Sequence, residues 1–198
     1  VTEINGESFT KSTSNAVVVE RNTIKPMAAF DVEIVAEGTI PNNEIWYTST
    51  DKVQPYNSTV FGANMSSNVW DATTKKGVIT FDGKVSKIGY MAFYQCKDLT
   101  SICIPNGVTT IESYAFSYCE NLNSIEMPNS LTSIGIGVFN NCLNLSTVTV
   151  PNHVTSISED LFFNCKNLKE IIISNSVDTI EKSAFQYCNS LTNITIPN

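Results

Sequence analysis

Histidine occurs once in this 198-residue chain, as His153, and the first sixty residues hold neither histidine nor cysteine. That scarcity leaves Ser-His-Asp and Cys-His hydrolysis without a constellation, since the nucleophile needs an adjacent base. Basic residues are few: 12 Lys and Arg against 19 Asp and Glu give a net charge of −7. A nucleic-acid partner is excluded, because displacing counterions from phosphates takes a basic stripe. Charged residues make up 16% of the chain, low against the usual quarter. No apolar run approaches the roughly 18 residues of a membrane-spanning helix. There is no G-x-S-x-G elbow and no glycine loop to cradle phosphate. Nor is there a C-x-x-C pair for zinc or a D-x-D-x-D-G loop for calcium. The opening VTEINGESFT has no basic-then-apolar leader and no initiator Met, and reads as a mature or trimmed chain.

What the chain has is a 23-residue period. Phe93, Phe116, Phe139, Phe162 and Phe185 recur at that interval; so do Cys96, Cys119, Cys142, Cys165 and Cys188, and Leu99, Leu122, Leu145, Leu168 and Leu191. A fixed period of this length means stacked supersecondary units, none able to bury its apolar side alone. Each unit carries two short alternating segments, in the second copy Val108–Ile111 and Leu122–Met127. Pro-Asn ends the second segment in most copies, as Pro105-Asn106 and Pro128-Asn129 do; Pro fixes φ and Asn tolerates a left-handed backbone. Between the segments SYAFSYC reads as a helix-like turn, too short to be stable unless stacking holds it. Neighbouring strands about 4.8 Å apart would pile each column into a ladder of like residues.

The expected organisation is a polar linker over 1–15, a β segment and cap over 16–61, a degenerate capping repeat over 62–84 and five repeats over 85–198. Subtracting 23 places Trp70 under Phe93, Ile79 under Ile102 and Phe81 under Ile104, as a worn first rung would. Upstream, EIWYTSTDKVQPY (44–56) reads as two short strands around a polar turn over the open end of the core. Ala16–Glu20 and Phe30–Ala36 are further strand candidates. The fifth repeat stops at Asn198, so another copy of the chain, or further chain, is expected to cover it.

Units of the form L-x-x-I-x-I-P-N-S-V-x-S-I-x-x-x-A-F-x-x-C resemble the BspA-like leucine-rich repeats of bacterial surface proteins. NNEIWYTSTDKVQPY and GVITFDGKVSKIG also resemble the segment preceding such repeats in proteins of anaerobic gut bacteria. The resemblance implies a β-rich α/β solenoid: a right-handed coil of 23-residue units with short parallel strands and helical turns, plus an N-terminal β cap. It further implies a secreted or outer-membrane cell-surface protein, often a lipoprotein with a lipid anchor, in a non-catalytic binding or adhesion role. Host matrix proteins are the ligands suggested for some members, and no fixed binding residues come with the family. Departures are few: Ser174 replaces the turn Pro, and Val138 and Leu161 replace the Ala before Phe.

Five cysteines in one column could suggest disulfides, yet five cannot all pair, and side chains in a ladder point in parallel rather than at each other. They read as buried free thiols acting as small apolar fillers. Cys103 lies between the inward Ile102 and Ile104 and is expected to face outward, as a reactive or acylated thiol or, more simply, a tolerated residue at a variable position. His153 occupies a solvent-facing turn position, and Glu159-Asp160 reads as a solvated turn rather than a glycosidase pair. No cofactor or metal is expected.

Function is expected where the rungs differ. The variable strand columns are Ser101, Ser124, Thr147, Glu170 and Asn193, and beside them Cys103, Glu126, Thr149, Ile172 and Thr195. Repeat proteins bind through such extended surfaces, so a protein ligand on this face is the leading expectation and a glycan the alternative. A second candidate is the scatter of Tyr90, Tyr94, Tyr114, Tyr118, Phe163 and Tyr187 near the turns, since aromatics favour protein or sugar contact.

Overall fold

In the computed structural model the 23-residue period becomes hydrogen-bond register. The structure describes residues 2–4, 7–9 and 40–195. Two compact units divide the chain, residues 1–30 and 31–198. Of the first unit the described part is an antiparallel pair, β1 (Thr2–Ile4) with β2 (Glu7–Phe9), in the stretch expected to be a linker. The strand candidates at 16–20 and 30–36 lie outside the described residues.

The second unit opens with β3 (Glu44–Ser49), β4 (Met65–Asp71) and β5 (Lys76–Phe81). Each rung then supplies a short strand and a second strand: β6 (Lys87–Ile88) and β7 (Leu99–Cys103), β8 (Thr110–Ile111) and β9 (Ser124–Glu126), β10 (Ser133–Ile134) and β11 (Thr147–Thr149), β12 (Ser156–Ile157) and β13 (Glu170–Ile172), β14 (Thr179–Ile180) and β15 (Asn193–Thr195). Paired rung strands are parallel and joined at an offset of 23, as in Ile102 with Ile125 and Val148 with Ile171. The short strands follow the same rule, Ile88 pairing with Ile111 and Ile111 with Ile134.

The side chains stack as the backbone does. Phe93, Phe116, Phe139, Phe162 and Phe185 form one stack with centroid separations of 5.2, 5.8, 5.5 and 5.6 Å and planes within 11° of parallel. The first four rings are fully buried, with Leu99, Leu122, Leu145 and Leu168 beside them. The cysteine column does more than fill space. Cys119, Cys142, Cys165 and Cys188 each donate the thiol hydrogen to the carbonyl of the phenylalanine 26 residues earlier, at 3.0–3.2 Å. All six cysteines are free thiols.

The turns between the strands are not helical; no described residue is in a helix. Successive amides there alternate in direction. Ala92, Tyr94 and Cys96 donate within the turn to Gly89, Met91 and Phe93, while Met91, Phe93 and Gln95 donate across to Ser113, Ala115 and Ser117 in the next rung. The pattern repeats: Tyr114, Phe116 and Tyr118 donate to Ile136, Val138 and Asn140. A helix would send every amide to its own chain four residues back, which leaves none for the neighbouring rung. The alternation requires left-handed residues at two positions per rung, Met91, Tyr114, Gly137, Asp160 and Ser183 at one and Gln95, Tyr118, Asn141, Asn164 and Tyr187 at the other, with φ between 54° and 64°. Glycine suits that region, whereas tyrosine and methionine adopt it only where surrounding contacts over-determine them. Inter-rung hydrogen bonds supply that constraint.

Residues 62–84 contain the antiparallel hairpin of β4 and β5. Ile79 and Phe81 of β5 are buried, and Phe61 packs edge-on against Phe93 and tilted on Phe81, joining the end of the phenylalanine stack to the cap. Of the two strands expected in 44–56 only β3 forms. Its Ile45 and Tyr47 side chains are buried in the core, and it pairs antiparallel with both β5 and β7, so the sheet order is β4-β5-β3-β7-β9. The cap thus covers the free edge of the first rung, the ordinary remedy for an exposed strand edge.

If stacking carries the stability, Phe139→Ala, in mid-stack with rings on both sides, is expected to lower unfolding free energy by about 3–5 kcal/mol. Phe185→Ala, with one stacked neighbour and partial exposure, is expected to cost clearly less. Urea titration followed by circular dichroism compares them; equal losses would contradict the stacking account.

Candidate binding surfaces

The outward side of the strands is a row set by register in two sheets, β4-β5-β3-β7-β9 and β11-β13-β15. Val78 of β5 stands opposite Trp46 of β3, Trp46 opposite Cys103 of β7, and Cys103 opposite Glu126 of β9. The row resumes with Thr149 of β11 opposite Ile172 of β13. A parallel row holds Thr48, Ser101 and Ser124, then Thr147 and Glu170. All ten variable-strand positions singled out in the sequence therefore lie on β7, β9, β11, β13 and β15. Between β9 and β11 the strand pairing is interrupted, and there Ile125 and Met127 are only partly buried.

Exposure is uneven along the row. Thr147, Thr149 and Glu170 are exposed, and Ile172 is 52% exposed. Ser101, Ser124 and Glu126 are half-buried. Cys103 departs from expectation: at 7% exposure it is buried, because β3 adds a strand beside it that the repeat pattern does not contain. Its thiol donates to Glu126 Oε2 at 3.1 Å. Burial, then the hydrogen bond and charge of Glu126, push this thiol well above its ordinary range. A thiol so held is a poor nucleophile, which removes the reactive or acylated reading. Trp46, whose Nε1 donates to Glu44 Oε2 at 2.7 Å, was missed as part of this face. Its alternation in EIWYTS showed a strand; nothing local showed which strand it would join.

On the turn side the aromatics form three groups. Tyr94 receives Tyr56 and Tyr118 edge-on at 5.6 and 5.8 Å, and Tyr90 meets Tyr114 at 6.3 Å. Phe163 and Tyr187 pair separately at 5.2 Å. Between the loop after β3 and the first turn lies an open cleft of about 450 Å³, lined in part by Gln54, Tyr56, Tyr94 and Gln95.

The remaining sequence candidates fall into structural places. His153 is exposed, and its Nδ1 hydrogen-bonds the Asn129 carbonyl at 2.8 Å. Asp160 occupies one of the recurring left-handed positions, which explains an acidic residue beside Glu159 without chemistry. Among the described residues no group of three His, Cys, Asp or Glu is placed to hold a metal ion. No helix among them is long and apolar enough to cross a membrane. In the last rung the core columns lose their cover, Ile180 and Ile194 being 42% and 39% exposed.

Parallel strands at a fixed offset of 23 and a continuous core define a β-solenoid of stacked repeats. The chain belongs to the BspA type leucine rich repeat family, whose pattern matches residues 72–198 in six copies. A leucine rich repeat protein of T. pallidum is 33% identical, with a TM-score of 0.55 over 57% of this chain and 53% of its own. A leucine rich cell surface protein of Faecalibacterium prausnitzii is 25% identical, with a TM-score of 0.48 over 70% and 47% of the two chains. A leucine-rich repeat protein of Bacteroides ovatus is 28% identical, with a TM-score of 0.46 over 65% and 38%. The chain thus spans about half the length of the first two solved structures it matches. No curated protein matches it.

The buried thiols give stability a pH dependence of definite sign. Burial raises Cys119, Cys142 and Cys165 well above the ordinary value, Cys188 to about 11 and Cys96 to about 12. Unfolded thiols ionise from about pH 8.5, while the folded chain keeps its protons. The unfolded state then binds fewer protons, so stability falls as pH rises. The thiol contribution is therefore fully present below about pH 8.5 and is expected to decline from there toward pH 11, where Cys188 also ionises in the folded state. Urea unfolding at stepped pH checks this, and Cys142→Ala is expected to make the decline shallower. A decline identical in both proteins would contradict the assignment.

Proposed function

We propose that this chain is the binding part of an exported bacterial surface protein that recognises a protein ligand through the outward strand face, without catalysis. The observation that carries the reading is the combination on β11 and β13: Thr147, Thr149 and Glu170 exposed around a half-exposed Ile172. An apolar anchor ringed by hydrogen-bonding groups is the usual anatomy of a protein interface. The rigidity of the stack supports it too, since a surface already ordered loses little entropy on binding. Membership of a leucine-rich-repeat family agrees with a recognition module, as repeat solenoids bind through extended surfaces. Export, adhesion and attachment by a lipid anchor are part of this proposal and rest on the family resemblance.

The test is binding to a panel of matrix proteins by surface plasmon resonance, with variants Ile172→Ala, Thr149→Arg and the triple Glu126→Ala, Thr149→Ala, Glu170→Ala. Loss of the Ile172 anchor is expected to weaken binding by about tenfold or more, with thermal melting unchanged. Binding that survives Thr149→Arg and the triple variant would remove the strand face as the site. Hydrolysis of a generic ester, peptide or glycoside by the pure protein would overturn the non-catalytic part.

A further inference from the structure

The cleft on the turn side is built from two chain segments far apart in sequence, Lys52–Tyr56 after β3 and Tyr94–Asp98 in the first turn. It is held open by internal bonds. Thr50 Oγ1 donates to Asp98 Oδ1 at 2.6 Å, the Thr50 amide donates to the Asp98 carbonyl at 2.9 Å, and Cys96 Sγ donates to the Gln54 carbonyl at 3.3 Å. Its volume of about 450 Å³ falls within the range of small-ligand sites.

Three features fix the class of ligand. First, the apolar surface on offer is aromatic: Tyr56 is 66% exposed, and edge-on packing against Tyr94 at 73° leaves ring surface uncovered. Val53, the aliphatic member of the lining, is 3% exposed and contributes almost nothing. Second, the surrounding side chains Gln54 and Gln95 carry planar amides; of the two lysines in the lining, Lys97 pairs with Glu120 at 2.8 Å and Lys52 is offset by Asp98, so the site favours a neutral polar molecule over an anion. Third, the backbone is already used. The carbonyls of Val53, Gln54, Lys97 and Asp98 accept from Asn68, Cys96, Asn121 and Thr50. A peptide added in extended form needs main-chain partners, and the cleft has few left.

We propose that this cleft binds a neutral oligosaccharide. A pyranose ring presents weakly positive C–H groups on one face, which suit the negative face of a tyrosine ring. Its hydroxyls, each donor and acceptor, suit amide and carboxylate side chains. Tyr56 is the stacking platform, and Gln54 and Gln95 fix the orientation. This site is separate from the strand face, and its ligand class is different.

The experiment is ¹H–¹⁵N NMR titration of the protein with maltotetraose, cellotetraose, xylotetraose, mannotetraose and a neutral β-1,3-glucan tetramer. At least one is expected to shift the amides of 52–56 and 94–98 with saturation. Tyr56→Ala is expected to weaken that sugar about tenfold, while thermal melting stays as in the parent because the ring is largely exposed. Gln95→Ala is expected to weaken it less, and Thr149→Arg on the strand face to leave it unchanged. The proposal is overturned if no tetrasaccharide shifts these amides, or if the shifts map to the strand face. It is equally overturned if Tyr56→Ala binds as tightly as the parent, or if unstructured peptides compete for the cleft. Failure of Thr149→Arg to affect protein binding would count against the strand-face reading alone.

Discussion

Each rung depends on the next for its backbone hydrogen bonds, and this dependence shapes everything else in the fold. Half the turn amides donate across to the following rung, as Phe93 does to Ala115 and Phe116 to Val138. Paired rung strands do the same, as β6 with β8 and β7 with β9. A single 23-residue unit could satisfy neither its polar groups nor its apolar face. Stability is accordingly a chain of nearest-neighbour contacts rather than one central core. The cysteine column fits the same logic. A residue small enough to fit the packed core, and able to donate to a buried carbonyl, answers packing and hydrogen bonding together.

That dependence also explains what was legible in the amino-acid sequence. Columns such as Phe93–Phe185 and Leu99–Leu191 announce themselves because every rung solves the same packing problem, and the family follows from them. The turns were misread as helical because SYAFSYC has helix-compatible residues and no glycine. Tyr114 and Tyr118 adopt left-handed φ only because inter-rung bonds hold them there, a constraint absent from local propensity. Cys103 was misplaced for a related reason. Its outward direction follows from strand alternation, but its burial comes from β3, which bears no repeat signature and whose Trp46 lies 57 residues away in sequence. The cap is where periodicity ends, and there sequence pattern could indicate strands but not their pairing.

Functionally the scaffold separates what must be constant from what is free to vary. Inward columns repeat; outward columns such as Cys103, Glu126, Thr149 and Ile172 do not. On the strand face two positions vary in each rung, as Ser101 and Cys103, Ser124 and Glu126, and Thr147 and Thr149 do. The cleft at Tyr56 and Tyr94 arises differently, from the meeting of the cap loop with the first turn. It occurs where the repeat is broken, and it shares no side chain with the strand face.

The most direct measurement of the central claim is a three-dimensional NOESY spectrum of the protein in solution. The account predicts cross-peaks between residues 23 apart in every adjacent pair of rungs. The Phe116 and Phe139 rings, stacked at 5.8 Å, and the Ile102 and Ile125 amides on paired strands are two such pairs, and pairs two rungs apart should be silent. Absence of contacts among the five phenylalanines, or contacts at an offset other than 23, would contradict it.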